Sequence, residues 1–180
     1  MRIGEYTVLC YVAPNWWSCR DYAPYIGYCL ALKEGVFQVF FIEDTVNLEE
    51  SLKKEEKHIA VETPQLDIAL QILETKRKEL SEEYKCIFEI KWLLMPYDCE
   101  YWEVLFRPKK YSGYIRYKYG IGRINENWFI WQCYCYDENS CEPMEIIECS
   151  TSKEHIEEKI RELEALLSEE LRRGYYIRVP

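Results

Sequence analysis

The chain holds 180 residues, 48% hydrophobic and 31% charged, with 32 Asp and Glu against 23 Lys and Arg and a net charge of -9. That length suits one globular domain or two half-size units sharing a core, and the apolar and aromatic content excludes a disordered chain. No apolar run approaches the roughly 20 residues of a bilayer helix, Glu5 comes too early for a signal peptide, and the negative charge argues against general affinity for nucleic acid or anionic lipid; a cytoplasmic protein without a membrane partner is expected.

In chain order, period-two and fully apolar runs predict strands at Tyr6–Val12, Tyr25–Leu32 and Val36–Ile42, the last with both faces apolar as in a central strand. A short polar helix, Leu48–Lys57, opens at Asn47 with Glu50 three residues on. A strand over His58–Glu62 leads to the first long helix, which Thr63-Pro64 starts with a hydroxyl cap and a proline. Leu66, Leu70, Leu73, Leu80 and Tyr84 form its apolar stripe. Strands follow at Cys86–Met95, Tyr101–Arg107, Tyr114–Ile121, Trp128–Tyr136 and Glu145–Cys149. Thr151-Ser152-Lys153-Glu154 reads as a capping box for the second long helix, whose stripe is Ile156, Ile160, Leu163, Leu167 and Leu171. Gly174 stops it before a last strand, Tyr175–Val179.

The two halves follow one pattern. Val36–Asp44 lies over Ile130–Glu138 with Gln38 on Gln132, and each long helix is preceded and followed by a strand. A tandem pseudo-duplication of β-β-β-β-α units, 1–90 and 91–180, accounts for this. The expected fold class is α+β: one mostly antiparallel sheet with the two long helices on one face, both units sharing one sheet and core as a single compact domain. The order of strands and helix in each half resembles the TATA-binding-protein fold, a saddle made of two such repeats. The basic underside and intercalating phenylalanines of that family have no counterpart here, so its DNA function is not carried over.

Nine cysteines leave at least one outside any intrachain disulfide. Their number, with abundant Glu, Lys, Ile and Tyr, suits either buried apolar thiols or a thermophilic source such as an archaeon or its virus, where intracellular disulfides occur. Cys133, Cys135, Cys141 and Cys149 are a candidate zinc set. However, a C-x-C pair on a strand aims its sulfurs poorly, and packing or a disulfide such as Cys141–Cys149 is the competing reading. No metal and no cofactor are expected. Glu89-Ile90-Lys91 matches a fragment of metal-dependent nucleases but lacks the upstream Asp on a neighbouring strand. No catalytic motif of high specificity is present.

Two segments invite contact. Asn15–Tyr22 reads as a loop with adjacent indoles, giving Trp16, Trp17, Arg20, Asp21 and Tyr22 as candidate partner-binding or ligand-binding residues. Between Val104 and Asn125 there is no acid, and Arg107, Lys109, Lys110, Tyr114, Arg116, Lys118 and Arg123 are candidates for nucleic-acid contact. The competing reading there is an edge strand guarded by cations. The first functional reading is a non-enzymatic protein that binds a protein partner through an aromatic-rich surface, as a small viral or archaeal accessory factor would. The alternatives are a small-molecule binder with an aromatic pocket between the halves, and a single-stranded nucleic-acid binder acting through residues 107–123.

Overall fold

A computed structural model describes residues 1–19, 25–54, 57–109, 116–136 and 141–180, with Arg116 described by its backbone alone. Arg20, Asp21, Tyr22, Lys110, Tyr114 and the Arg116 side chain therefore lie outside the described residues. The fold is α+β, built from antiparallel strands and, among the described residues, four helices of which two are long. The strands form two sheets rather than the single one expected, and the chain divides into two units, Met1–Leu94 and Met95–Pro180. Among the described residues no helix is long and apolar enough to cross a membrane.

The first unit contains β1 (Arg2–Ile3), β2 (Tyr6–Pro14), α1 (Trp16–Cys19), β3 (Gly27–Lys33), β4 (Val36–Ile42), α2 (Leu48–Lys53), β5 (Ile59–Thr63), α3 (Leu66–Tyr84) and β6 (Phe88–Trp92). Its sheet runs β1-β2-β3-β4-β5, with β6 also paired to β2. Glu34 and Gly35, both at positive φ, make the tight turn that pairs β3 with β4. Strand alternation sends Leu30, Phe37 and Val39 to one face, where α3 lies with Leu66, Ala69 and Leu73 fully buried. Cys29, Ala31, Phe40 and Ile42 occupy the other face and pack with Leu48 and Leu52 of α2. Two covered faces explain why β4, Gln38 apart, reads as apolar on both sides. Leu70, expected in the core, is only half-buried, because the buried stripe of α3 runs one position away through Ala69.

The second unit contains β7 (Tyr101–Pro108), β8 (Arg116–Ile124), β9 (Asn127–Cys135), β10 (Glu145–Ser150), α4 (Lys153–Arg172) and β11 (Tyr176–Arg178), after a single 3-10 turn at Pro96–Asp98. Its sheet order is β10-β9-β8-β7-β11. Ile121 and Ile130 pack under Ile156 of α4, and Phe106 and Tyr176 pack under Leu167, while Ile160 and Leu163 are only half-buried.

With β1, α1 and α2 set aside, β2-β3-β4-β5-α3-β6 and β7-β8-β9-β10-α4-β11 run in like order with like pairing, the last strand beside β2 and beside β7, a likeness of pattern that does not establish a duplication. Two residue correspondences expected from a duplication do not hold. The helix caps are Gln65 and Ser152, not Thr63 and Thr151. The matched hydroxyls are Thr63 and Ser150, each accepting the backbone N–H two residues on, at 3.1 and 3.0 Å. Aligning the turn Glu34-Gly35 with Asn125-Glu126 places Gln38 over Phe129 and Phe41 over Gln132. Gln38 faces away from α3, whereas Gln132 shares the α4 face with Ile130, so the two glutamines are not equivalent.

Candidate functional site

β2 ends at Pro14, whose ring cannot donate a further ladder bond. The next residue, Asn15, bonds through its backbone N–H to Ile87 O at 2.8 Å, and its side-chain oxygen caps α1 by accepting from Trp17 N (3.0 Å) and Ser18 N (3.2 Å). The Asn15 amide then donates to Glu89 Oε2 at 2.9 Å on the neighbouring β6. Burial pushes the Glu89 carboxyl up, but hydrogen bonds from Lys91 and Asn15 outweigh it and hold the group below its ordinary range. Glu89 and Lys91, the nuclease-like fragment, thus neutralise each other as an ion pair.

The rest of α1 is fastened to the start of β6. Ile87 N donates to Ser18 Oγ at 3.0 Å, and Cys19 is joined to Cys86 by a disulfide. The described part of the segment expected as a loop, residues 15–19, is therefore a one-turn helix held at both ends. Consecutive residues on a helix point about 100° apart, so both indoles cannot pack on the same surface. Trp16 leans on Tyr25, ring centres 5.0 Å apart, while Trp17 stands 94% exposed. Trp16, Tyr25 and Ile87 are each about half exposed, so a large apolar surface gathers at this end of the first sheet.

The described residues of the basic stretch are dispersed. Arg107 and Lys109 are exposed on and beyond β7. Arg123 pairs with Glu100 at 3.3 Å and lies 5.4 Å from the Trp128 ring centre. Lys118 is half-buried opposite Cys133, on the face away from Tyr117 and Tyr119. Phosphate-binding cations and base-stacking rings need a shared face; among the described side chains of β8 only Arg123 shares the face of Tyr117 and Tyr119, and it is paired with Glu100.

The zinc candidate is corrected. Cys135 and Cys141 are joined to each other as a disulfide, which removes two of the four ligands. Cys133 is a buried thiol whose pKa burial pushes up to about 11, and Cys149 belongs to neither disulfide. Among the described residues no cluster of His, Cys, Asp and Glu could hold a metal ion. A cleft of about 230 Å³ in the first unit, lined by Glu43, Ser51, Lys54, Lys57 and His58 beside Phe41 and Ile42, is open and polar and falls below the usual volume of a small-molecule pocket.

No family model, curated protein or solved structure matches the chain, so the likeness to the TATA-binding-protein fold gains no support from relatives.

Proposed function

We propose that the chain acts by binding a protein partner, and that the apolar surface of Trp16, Trp17, Tyr25 and Ile87 is where the partner docks. The observation that carries this reading is the 94% exposure of Trp17 on a segment fastened by a disulfide. An indole left in water costs apolar hydration that a partner's pocket would recover. Holding it on a capped, cross-linked turn lowers the ordering cost of association. The shared framework of the two units does not require the pair. After Pro14 the sequence reads Asn15-Trp16-Trp17-Ser18-Cys19, and after Pro108 it reads Lys109-Lys110-Tyr111-Ser112-Gly113.

The test is a Trp16→Ala, Trp17→Ala double variant, compared with wild type for partner capture from the native source and for urea unfolding. Capture is expected to fall about thirtyfold or more, as for loss of a hot-spot residue. Trp17→Ala alone is expected to change folding free energy by less than about 0.5 kcal/mol. Retained capture with a loss of several kcal/mol would make the rings core packing and reject the reading.

A further inference from the structure

One face of the second sheet is only partly roofed by α4. Beyond Ile121 and Ile130, which lie under Ile156, alternation along β8 and β9 brings Tyr119, Tyr117 and Tyr134 to the same face. Tyr136 continues this row past the end of β9, and Tyr176 of β11 closes it on the other side. The rings form a chain: Tyr136 to Tyr134 5.4 Å, Tyr134 to Tyr117 5.5 Å, Tyr117 to Tyr119 6.1 Å, and Tyr119 to Tyr176 6.1 Å between centres. Tyr176 is 6% exposed, Tyr117 38% and Tyr136 61%, while Tyr119 and Tyr134 are half-buried.

The shelf has a carboxylate rim. Glu142, itself exposed, accepts from the Tyr136 hydroxyl at 2.5 Å, and its backbone N–H donates to Tyr134 O at 2.9 Å. The Cys135–Cys141 disulfide fixes this corner. Glu145 accepts from Gln132 on the same face, and Glu170 lies close enough to Tyr119 to add to the burial that pushes its phenol up to about 12. Of the described cations, Lys118 is on the opposite face, Lys109 lies beside Gly174 past the end of α4, and Arg123 and Arg178 on the same face are paired with Glu100 and Glu164.

We propose that this tyrosine shelf binds an arginine-bearing peptide segment, whose guanidinium stacks on the exposed Tyr117 ring, set edge-to-face against Tyr134, and pairs with the Glu142 carboxylate. Electron-rich ring faces with carboxylates at their edge match a planar cation, which stacks and donates hydrogen bonds at once. A phosphate-bearing strand would meet the same carboxylates as repulsion. The shelf belongs to the second unit and does not rest on the protein-partner reading of Trp16 and Trp17.

The probe is a capped Gly-Ser-Arg-Gly-Arg-Ser-Gly peptide, titrated calorimetrically beside the same peptide with citrulline, the neutral isostere, in place of arginine. The arginine peptide is expected to bind wild type at least about tenfold more tightly than the citrulline peptide. Tyr117→Ala and Glu142→Gln should each weaken it about fivefold, while Glu82→Gln on α3 and Trp17→Ala should leave it within about twofold. Glu142→Gln removes only an exposed charge, so it keeps the test valid if Tyr117→Ala fails to fold. No detectable binding to wild type, or equal binding to wild type, Glu142→Gln and Glu82→Gln as a diffuse response to net charge, would overturn the proposal.

Discussion

Replacing Gly27 by alanine is expected to destabilise the first unit by about 4 kcal/mol. Gly27 opens β3 where that strand runs beside β2, and a Cβ there would sit 1.8 Å from the backbone oxygen of Val12 and 2.9 Å from the Thr45 side chain. Neither neighbour yields easily. The Val12 carbonyl belongs to a strand paired on both sides, by β3 and by β6, and Val12 itself is fully buried. The added methyl must therefore part the β2–β3 ladder rather than turn a flexible side chain. Gly35→Ala is the matched control: nothing lies within 4 Å of its Cβ position, and its φ of +81° leaves only the backbone penalty, about 1 kcal/mol. Urea unfolding of both variants decides it. Equal small losses would mean that β2 and β3 do not approach as described.

The Cys19→Ser, Cys86→Ser variant is expected to lose roughly 4 kcal/mol, and Cys135→Ser, Cys141→Ser roughly 2 kcal/mol. The bonds are chemically alike but close chain segments of very different length, with sequence separations of 67 and 6 residues. In the chain-entropy account the longer loop removes more freedom from the unfolded state. The first bond also tethers α1, so its loss should raise amide exchange at Trp17 and Ser18, which rely on the Asn15 cap once the covalent tie is gone. The measurement is unfolding of both variants under non-reducing conditions, with hydrogen exchange on the first. If the short-loop variant proves the more damaged, loop entropy is not the dominant contribution.

The local pattern carried most of the fold. β4 was legible residue for residue because both its faces are covered and a two-residue turn precedes it. The long helices were legible from their stripes, but each start slipped. Adjacent candidates, Thr63-Pro64-Gln65 and Ser150-Thr151-Ser152, offer more than one hydroxyl or cap position, and only geometry chooses among them. The Gln38–Gln132 equivalence came from matching residue types, whereas register is set by the turn, and a slip by an odd number of residues reverses the face. One sheet or two depends on long-range pairing that alternation does not encode. The Cys19–Cys86 and Cys135–Cys141 pairings were hidden for a similar reason, since spacing does not determine connectivity. The indole pair was visible as unusual, but the one-turn helix and its tether to β6 were not. The tyrosine row could be sensed from alternation in β8, but its continuation through Tyr134, Tyr136 and Tyr176 needed strands distant in sequence.

The central claim is that Trp17 faces a protein partner, and site-specific photocrosslinking tests it most directly. Benzoylphenylalanine would be placed at position 17 and, as a control of similar exposure, at position 166, where Leu166 stands 81% exposed on α4. After irradiation in the native source, position 17 is expected to yield a discrete heavier adduct with one protein and position 166 none. Identical adducts at both positions, or none at position 17 in a variant that folds like wild type, would contradict the account.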